Sequence, residues 1–196
     1  MSTIMDPSIM LQQIWFGLAG IKGFNPNVSK SDRGKEWSSA LSNTTCWYCW
    51  GQDGMIFDEN SMPEEMPPVH PNCNCVIIVL PSIKAGTATF DREKGADYTL
   101  KNLSALPPNY IDKQSAKVLG WDKLKGNLRD IVPTGTIGGD VYYNRNGKLP
   151  TAPDRTWREA DINYTGGYRN TCRVFYSNDG LVFVTYDHGA TFYEIN

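Results

Sequence analysis

The sequence predicts an α+β fold in which N-terminal helices pack on an antiparallel β-sheet, preceded by a small cysteine-rich domain. Three observations lead to this expectation. Runs of β-branched and aromatic residues, separated by Gly, Asn and Asp, predict strands between residues 141 and 186. Helical patterns over residues 91–105 and 112–119 come before these strands. Four of the five cysteines lie between residues 46 and 75.

Length, composition and charge limit the function classes. With 196 residues, 40% of them hydrophobic, the chain can fold as one or two compact domains. We place a boundary after residue 85, which separates a helical, cysteine-rich module (1–85) from a second domain (86–196). The first part holds five Lys and Arg against eight Asp and Glu, and the second holds fourteen against thirteen. Neither part is basic enough to coat nucleic acid, so nucleic-acid binding would depend on locally clustered cations.

The first residues predict neither a secretory signal nor a membrane span. Residues 1–8 contain Asp6 and no basic residue, unlike the start of a signal peptide. The apolar run 9–21 is interrupted by two glutamines and is too short to cross a bilayer. We interpret residues 9–19 as a core or interface helix. Because the chain begins abruptly in this run, we expect it to belong to a larger parent polypeptide.

Two further elements complete the first part. Residues 30–41 are predicted to form a second helix, with Ser29 or Ser31 as its cap. The apolar run 76–80 predicts a strand that closes the module. The short, weakly patterned residues 81–89 follow it, and they carry the domain boundary.

The most distinctive pattern of the first part is a set of five metal-ligand types with the spacing C-x2-C-x20-H-x2-C-x-C, namely Cys46, Cys49, His70, Cys73 and Cys75. Such thiolate and imidazole groups favour a tetrahedral structural zinc ion, which would stabilise a segment with little core of its own. Five ligands compete for four positions, and His70 is able to replace either Cys73 or Cys75. Two disulfides, or buried thiols beside a solvated histidine, are the alternatives.

The same segment resembles a known family. Its stretches CWYCWGQDGMIF and PPVHPNCNC are similar to the C-terminal part of minor head proteins of tailed phages, in which cysteine pairs precede an HPxCxC signature. The resemblance implies a module for delivery or for association with a virion, rather than an active site.

Helices open the second domain. Pro107 and Pro108 end the helix predicted over residues 91–105. Asp112 is the predicted cap of a helix that begins with Lys113 and ends near Gly120. A lysine in the first turn gains nothing from the helix dipole, so we explain its position by contact with a phosphate, with a plain exposed lysine as the alternative.

The segment that follows leads into the sheet. Residues 121–131 are predicted to hold a short helix, and the glycine-rich residues 133–140 a loop that delivers Asp140 beside the sheet. Residues 141–144 begin the sheet. Residues 145–148 predict a turn whose backbone amides could read a base edge, although a solvated hairpin is equally consistent with this pattern.

The densest mixture of aromatic, β-branched and charged residues is the hairpin over residues 156–176. A turn centred on Gly166 would place Glu159 opposite Arg173 and Asn163 opposite Arg169. The two-residue period of a strand puts these four side chains on one face of the sheet.

Adjacent strands should then bring a histidine to the same place. A turn at residues 177–180 and a strand over 181–186 place His188 at the end of the meander. Glu159, Arg169, Arg173 and His188 then supply a carboxylate, two cations and an imidazole, which are the groups needed for metal-free cleavage of RNA by its own 2′-hydroxyl. Cross-strand ion pairs on a solvated face are the alternative interpretation.

These residues belong to a longer resemblance. LPPNYIDKQSAKVLGW, KGNLRDIVP, IGGDVYYNRNGKLP, WREADINYTGGYRN and the DH pair near the end are similar to barnase-like bacterial ribonucleases, over roughly the last hundred residues. The resemblance implies a barnase-like fold and catalysis without a cofactor. The roles it implies are Glu159 as base, His188 as acid, phosphate contacts by Lys113, Arg169 and Arg173, and substrate or base support by Asp140, Asn144 and Arg145.

Two positions depart from the family. Asn146 replaces an acidic residue that binds guanine, and Gly189 replaces an aromatic residue after the histidine. The resemblance therefore does not extend to guanine preference or to base stacking.

Two functions compete on this evidence. The first is an endoribonuclease toxin that is delivered into a target cell and is held in check by an acidic immunity protein similar to barstar. The second is a non-catalytic structural protein of a phage or secretion assembly that retains the ribonuclease fold.

Overall fold

The structure, a computed structural model, describes residues 34–196. The helix predicted over residues 9–19 lies outside the described part. The strands, in chain order, are β1 (Lys35–Ser38), β2 (Ile56–Phe57), β3 (Val76–Val79), β4 (Ser82–Ile83), β5 (Tyr110–Ile111), β6 (Thr136–Tyr142), β7 (Trp157–Asp161), β8 (Arg173–Ser177), β9 (Val182–Thr185) and β10 (Tyr193–Ile195). The helices are α1 (Trp47–Gln52), α2 (Ala96–Leu103), α3 (Lys113–Val118) and α4 (Leu128–Ile131), with a 3-10 turn at Arg92–Lys94.

The strands form two sheets. A three-stranded sheet has the order β2-β1-β3, and a seven-stranded sheet has the order β4-β10-β9-β8-β7-β6-β5. From β6 to β10 every neighbouring pair is antiparallel, whereas β4 and β5 pair in parallel at the two edges. The α+β prediction is confirmed.

The two faces of the large sheet have different roles because successive side chains of a strand alternate between them. On one face, Ala160 and Val174 pack against Ala96 and Leu100 of α2. On the other face lies a second cluster of buried residues, comprising Trp157, Phe175, Phe183 and Phe192 together with Leu149, Leu80 and Ile56. Glu159 shares this second face, because it lies two residues after Trp157 in β7.

The helix predicted over residues 30–41 is wrong for the part that the structure describes. Residues 35–38 form β1, which pairs antiparallel with β2 on one side and with β3 on the other. Trp37 is fully buried, at 0% exposure, in the core of the cysteine-rich segment. Packing between distant segments has overridden the local helical pattern here. The strand predicted over residues 76–80 is confirmed as β3.

The loop predicted over residues 133–140 is also wrong, because β6 begins at Thr136. Gly138 permits the close approach of β6 and β7, since a Cβ at this position would lie 2.4 Å from the Cβ of Ala160. The pairing shifts between Gly138 and Asp140, and Gly139 has a φ of +96°. This bulge brings Asp140 directly opposite Glu159.

The hairpin between β7 and β8 has a different register from the predicted one. Arg173 lies opposite Asp161, and Glu159 lies opposite Phe175. Residues 162–172 form a longer loop, which the Asn170 amide closes by donating hydrogen bonds of 2.9 and 3.0 Å to the backbone of residues 162 and 163. The observed register differs from the predicted one by two residues. Because side chains alternate with a period of two, Glu159 and Arg173 still lie on the same face, as predicted.

The helix that carries Lys113 agrees with the prediction. The Asp112 carboxylate accepts a 2.8 Å hydrogen bond from the Ser115 amide and caps α3. Gly120 follows the helix with a φ of +103°. Lys113 therefore occupies the first turn of α3, which contacts β6.

The cysteine-rich segment and the ribonuclease-like part share contacts and a core. Ser82–Ile83 forms β4 of the large sheet, and Ile56 and Leu80 belong to the cluster on its second face. Arg155 donates a 2.7 Å hydrogen bond to the Asp58 carboxylate. The boundary after residue 85 stays a prediction.

Within residues 34–196, no helix is long and apolar enough to cross a membrane.

The ion pair between Asp58 and Arg155 predicts a specific acid sensitivity. Burial raises the pKa of Asp58, but hydrogen bonds from Arg155 and Ser61 outweigh it and hold the pKa below its usual range. The stabilisation is fully present above the unfolded pKa, about 3.9, and is lost as the pH falls towards the lower folded pKa. We therefore expect a smaller loss of unfolding free energy between about pH 6 and pH 3 in Asp58→Asn than in the unsubstituted chain.

Urea unfolding at both pH values checks this expectation, with the exposed neighbour Glu59→Gln as the control. Glu59→Gln should keep the acid dependence of the unsubstituted chain. Equal acid dependence in Asp58→Asn and the unsubstituted chain would show that this carboxylate does not link the two parts.

Candidate active site

An open cleft lies on the second face of the large sheet. Its wall combines charged groups with aromatic rings, and the lining residues are Tyr142, Asn146, Glu159, Arg169, Arg173, Phe175, His188, Gly189 and Phe192. Four of the predicted catalytic residues therefore meet in one place, namely Glu159, Arg169, Arg173 and His188.

Glu159 is held at one side of this cleft by a lysine from α3. The Lys113 ammonium lies 2.5 Å from Oε1 of Glu159 and 3.7 Å from Oδ2 of Asp140. The backbone amide of Lys113 also donates to the Asp140 carboxylate, at 3.2 Å from Oδ2. Asp140 thus anchors the start of α3 on β6, and this contact aims the lysine at Glu159.

Both arginines of the cleft are oriented by Asp161, which was missed from sequence. Nε and a terminal nitrogen of Arg169 donate to its two carboxylate oxygens, at 2.7 and 2.6 Å. Nε of Arg173 lies 3.0 Å from one of the same oxygens. Asp161 is 0% exposed, so its charge is neutralised by these two guanidiniums. The available signal was its place in the sequence, two residues after Glu159 and on the same strand face.

The buried environment acts differently on the two guanidiniums. Burial lowers the pKa of Arg169, but its hydrogen bonds to Asp161 outweigh this effect, so its pKa is raised. Burial is the larger effect at Arg173 and lowers its pKa, against the attraction of Asp161. Arg173 also donates to the backbone oxygen of Cys172 at 2.7 Å, which leaves part of its guanidinium directed along the cleft wall.

A compact loop presents His188 at the other side of the cleft. The Asp187 carboxylate accepts hydrogen bonds from the amides of Ala190 and Thr191, at 3.0 and 2.9 Å. Burial raises the pKa of Asp187, but these bonds and those of the threonine hydroxyls outweigh it, so the pKa is lowered. His188 itself has a φ of +63°, and its amide donates to Thr171 at 3.2 Å. His188 follows the end of β9 at Thr185 and lines the cleft.

The turn at residues 144–149 forms the rim of the cleft, but its residues are used in different ways. The Asn144 side chain closes the turn, since it donates to the Leu149 oxygen at 2.8 Å and accepts from the Leu149 amide at 3.1 Å. The Arg145 guanidinium lies 5.5 Å from the centre of the Tyr143 ring, outside the cleft lining. Asn146 does line the cleft. The substrate-binding roles of Asn144 and Arg145 stay predictions.

Aromatic rings form the apolar part of the wall. The Tyr142 and Phe175 rings are 4.7 Å apart, and the Phe175 and Phe192 rings are 5.9 Å apart. At Gly189 the φ of +83° and a Cβ distance of 3.3 Å to Phe192 leave no easy place for a side chain. The cleft thus presents aromatic side chains, with neighbouring rings tilted by 53° and 55°, beside its cations. Aromatic rings next to cations suit a nucleobase attached to a phosphate.

The five metal-ligand types of the cysteine-rich segment also meet in space. Two groups of three have ligand atoms within 4.8 Å of one another, Cys46 with Cys49 and His70, and Cys49 with Cys73 and Cys75. The Cys49 sulfur lies 3.7 Å from His70 Nε2 and 3.7 Å from the Cys73 sulfur. Ligands at tetrahedral angles around zinc, with Zn–S bonds of about 2.3 Å, are separated by about 3.5–3.8 Å. These distances fit zinc, and the five cysteines form no disulfide.

The surroundings favour the ligand form of His70, Cys46 and Cys73, whereas burial raises the pKa of Cys49. Nδ1 of His70 is placed to donate to the Pro71 oxygen at 2.9 Å, which leaves Nε2 free to bind a metal. The Cys49 amide donates to the Cys46 sulfur at 3.4 Å. A hydrogen bond from the Cys75 backbone lowers the pKa of Cys73 to about 7, so that the thiolate is favoured.

Comparison with known proteins places the C-terminal half in a family. A family model described as ribonuclease matches residues 92–196, more than half of the chain. The chain is 54% identical over 100 residues to a ribonuclease of Heyndrickxia coagulans, a match that covers 51% of this chain and 91% of that protein. It is also 54% identical over 100 residues to ribonucleases of Bacillus intermedius and Bacillus pumilus, and it spans 61% of the length of each.

The matched region includes both sides of the cleft. Glu159 and His188 lie within it, as do the cations that surround them. The matches give no support to the resemblance between the cysteine-rich segment and minor head proteins. Through residues 92–196, the chain is a barnase-like member of the ribonuclease family.

Proposed function

We propose that the protein is a metal-independent endoribonuclease that cleaves RNA through attack of the ribose 2′-hydroxyl on the adjacent phosphate. One observation carries the proposal: Glu159 and His188 line the same cleft, together with Arg169 and Arg173. A carboxylate, an imidazole and fixed cations around one space are the groups that this reaction needs. Ribonucleases of the same family add independent support.

The proton transfers follow from the two sides of the cleft. The Glu159 carboxylate takes the proton of the 2′-hydroxyl, and the 2′ oxygen forms a bond to phosphorus. The bond from phosphorus to the 5′ oxygen breaks, and His188 gives that leaving oxygen a proton. The products are a 2′,3′-cyclic phosphate and a 5′-hydroxyl. Because the nucleophile belongs to the ribose, DNA is not a substrate.

The cations act on the charge that develops on the phosphate oxygens. Arg169 and Arg173 are fixed by Asp161 before substrate binds, so little reorganisation is needed at the transition state. The Lys113 ammonium is shared between Glu159 and Asp140, and it is close enough to reach a phosphate next to Glu159. Its ion pair also places a positive charge beside the carboxylate that must stay ionised to act as a base.

The cysteine-rich segment holds a structural zinc ion in this proposal, with no part in the reaction. Cys49 belongs to both groups of potential ligands, and His70 and Cys73 lie at tetrahedral spacing from it. The remaining ligand comes from Cys46 or Cys75. A bound ion would cross-link α1 to the segment before β3, where few other core residues are available.

We further propose that the ribonuclease acts as a toxin, delivered into a target cell as part of a larger parent polypeptide. The support is the fusion of an unrelated cysteine-rich segment to a ribonuclease domain. Such an enzyme requires an inhibitor in the cell that makes it. The cations around the cleft favour an acidic immunity protein similar to barstar, which would cover them and exclude RNA.

Removal of the base or the acid tests the catalytic assignment. Glu159→Ala and His188→Ala should each lower kcat/KM for single-stranded RNA by about 100-fold or more, because each variant lacks one proton transfer. Fluorogenic RNA cleavage in EDTA measures this effect. The exposed residue Glu64→Ala is the matched control and should retain full activity.

Retained cutting by both variants would defeat the roles assigned to Glu159 and His188. A chain that is folded but inactive on every RNA would instead favour the non-catalytic structural protein. Far-UV circular dichroism of each variant separates loss of chemistry from loss of fold.

Replacement of Asp161 tests the role of its buried charge. Asp161→Asn keeps the size of the side chain but leaves two guanidiniums close together without their counter-charge. We expect a loss of about 3 kcal/mol in unfolding free energy. We also expect a fall of kcat/KM by about tenfold or more, with most of the change in kcat.

Urea unfolding and steady-state kinetics measure the two effects. Glu65→Gln, which removes an exposed carboxylate, is the control for a general loss of charge. Normal stability and normal kcat in Asp161→Asn would show that the arginines do not depend on Asp161.

Metal analysis tests the zinc site. We expect about one zinc ion per chain in protein purified under reducing conditions. Cys49→Ser should lose the metal, since Cys49 belongs to both ligand groups. Cys172→Ser should retain it, because this cysteine lies outside the cluster. Elemental analysis measures the metal, and protein that contains no zinc under these conditions would overturn the site.

A further inference from the structure

The rim of the cleft is in contact with the cysteine-rich segment. The amide of Ile56 donates a 2.8 Å hydrogen bond to the Lys148 oxygen, in the turn formed by residues 144–149. Ile56 belongs to β2, whose other side pairs with β1. The turn therefore lies against the free edge of the three-stranded sheet. Ile56 is also 2% exposed and packs in the cluster that contains Phe175 and Phe192 of the cleft wall.

Side chains add to this backbone contact. A Cβ on Gly147 would lie 3.0 Å from the terminal carbon of Met55, so the methionine covers the turn at a residue with a φ of +66°. The Met55 backbone is itself fixed, because its oxygen accepts a 3.0 Å hydrogen bond from the Trp37 amide. The side chain that covers Gly147 is thus carried by a backbone that β1 holds in place.

Lys148 extends the contact to the histidine loop. Its stem passes Gly54, where a Cβ would lie 3.7 Å from the Lys148 Cε. Its ammonium donates to the Gly189 oxygen at 3.4 Å. Gly189 directly follows His188, so one side chain connects the cysteine-rich segment, the rim of the cleft and the loop that presents the imidazole.

A buried ion pair fixes this arrangement to the sheet. The Arg155 side chain is 2% exposed, and it binds Asp58 at 2.7 Å and Asp179 at 2.8 Å. Asp58 follows β2 directly, and Arg155 comes two residues before β7, the strand that carries Glu159. The segment 54–58 is therefore attached to the turn 144–149 through Ile56 and to the residues before β7 through Asp58.

We propose that residues 54–58 are a positioning element of the ribonuclease, which sets the conformation of the turn 144–149 and thereby the base preference and affinity of the cleft. The inference rests on the proposed function, because it assigns the turn to the base of the RNA substrate. Met55 and Ile56 act through the turn and do not touch the reacting atoms. Asn146, which belongs to the same turn, lines the cleft.

Substitution of Met55 in the full chain tests this role. The substrates are four dinucleoside monophosphates that differ only in the base on the 5′ side of the phosphate. Met55→Ala removes the cover of Gly147, and we expect the KM for the preferred base to rise about fivefold. The kcat should stay within about twofold, and the four kcat/KM values should become more similar.

Met62→Ala is the matched control, because Met62 packs in the core of the cysteine-rich segment. It should leave KM and base preference unchanged. Amide hydrogen exchange provides a second measurement that does not depend on activity. Residues 144–149 should exchange faster in Met55→Ala than in Met62→Ala, while β8 and β9 should remain equally protected in both variants.

The outcomes separate this inference from the proposed function. A chain that cleaves RNA, but whose KM, base preference and exchange are the same in Met55→Ala and Met62→Ala, overturns the positioning role alone. An equal loss of kcat in both variants also overturns it, since this reports a general loss of folded protein. A chain that cleaves no RNA overturns the proposed function and this inference together.

Discussion

The buried carboxylate of Asp161 is the constraint on which the rest of the site depends. It is 0% exposed and receives hydrogen bonds from Arg169 and an ion pair from Arg173. A charge in this position is stable only when it is paired, and two guanidiniums this close together are stable only with a carboxylate between them. The ion pairs of Asp161 with Arg169 and Arg173 therefore hold the loop 162–172 against β7. They also fix two cations on the face of the sheet that carries Glu159.

Alternation along the strands explains why residues that line the cleft could be predicted from sequence. The observed register differs from the predicted one by two residues, which is the period of a strand. Glu159 and Arg173 therefore lie on the same face in both registers, although the turn was predicted incorrectly. The cap at Asp112 was also predictable, because it is a local interaction within four residues. The family resemblance supplied the roles of these residues, which periodicity alone does not.

The features that could not be predicted depend on contacts between distant segments. Asp161 was missed because the predicted register placed Arg173 opposite Glu159. Residues 35–38 form a strand rather than a helix because β3, far along the chain, pairs with them. The glycines of β6 indicated a loop from composition, yet Gly138 is required by the close approach of Ala160 in the next strand. In each case the local structure is determined by contact with a segment that is distant in sequence.

The ribonuclease fold and the cysteine-rich segment are physically connected in this chain. The family match begins at residue 92, but β4, Leu80 and Ile56 all contribute to the sheet or to its second core. Burial of apolar side chains from the earlier segment stabilises the face on which the cleft lies. The cluster of potential metal ligands around Cys49 and the turn at residues 144–149 thus belong to adjoining structures.

In the proposed reaction, a carboxylate and an imidazole on opposite sides of one cleft transfer protons while the RNA supplies its own nucleophile. Mass spectrometry of the fragment ends, after RNA digestion in EDTA, tests this mechanism most directly. We expect 2′,3′-cyclic phosphates and 5′-hydroxyls, with an undiminished rate in the chelator. Fragments with 3′-hydroxyl and 5′-phosphate ends, or a digestion that stops in EDTA, would contradict it.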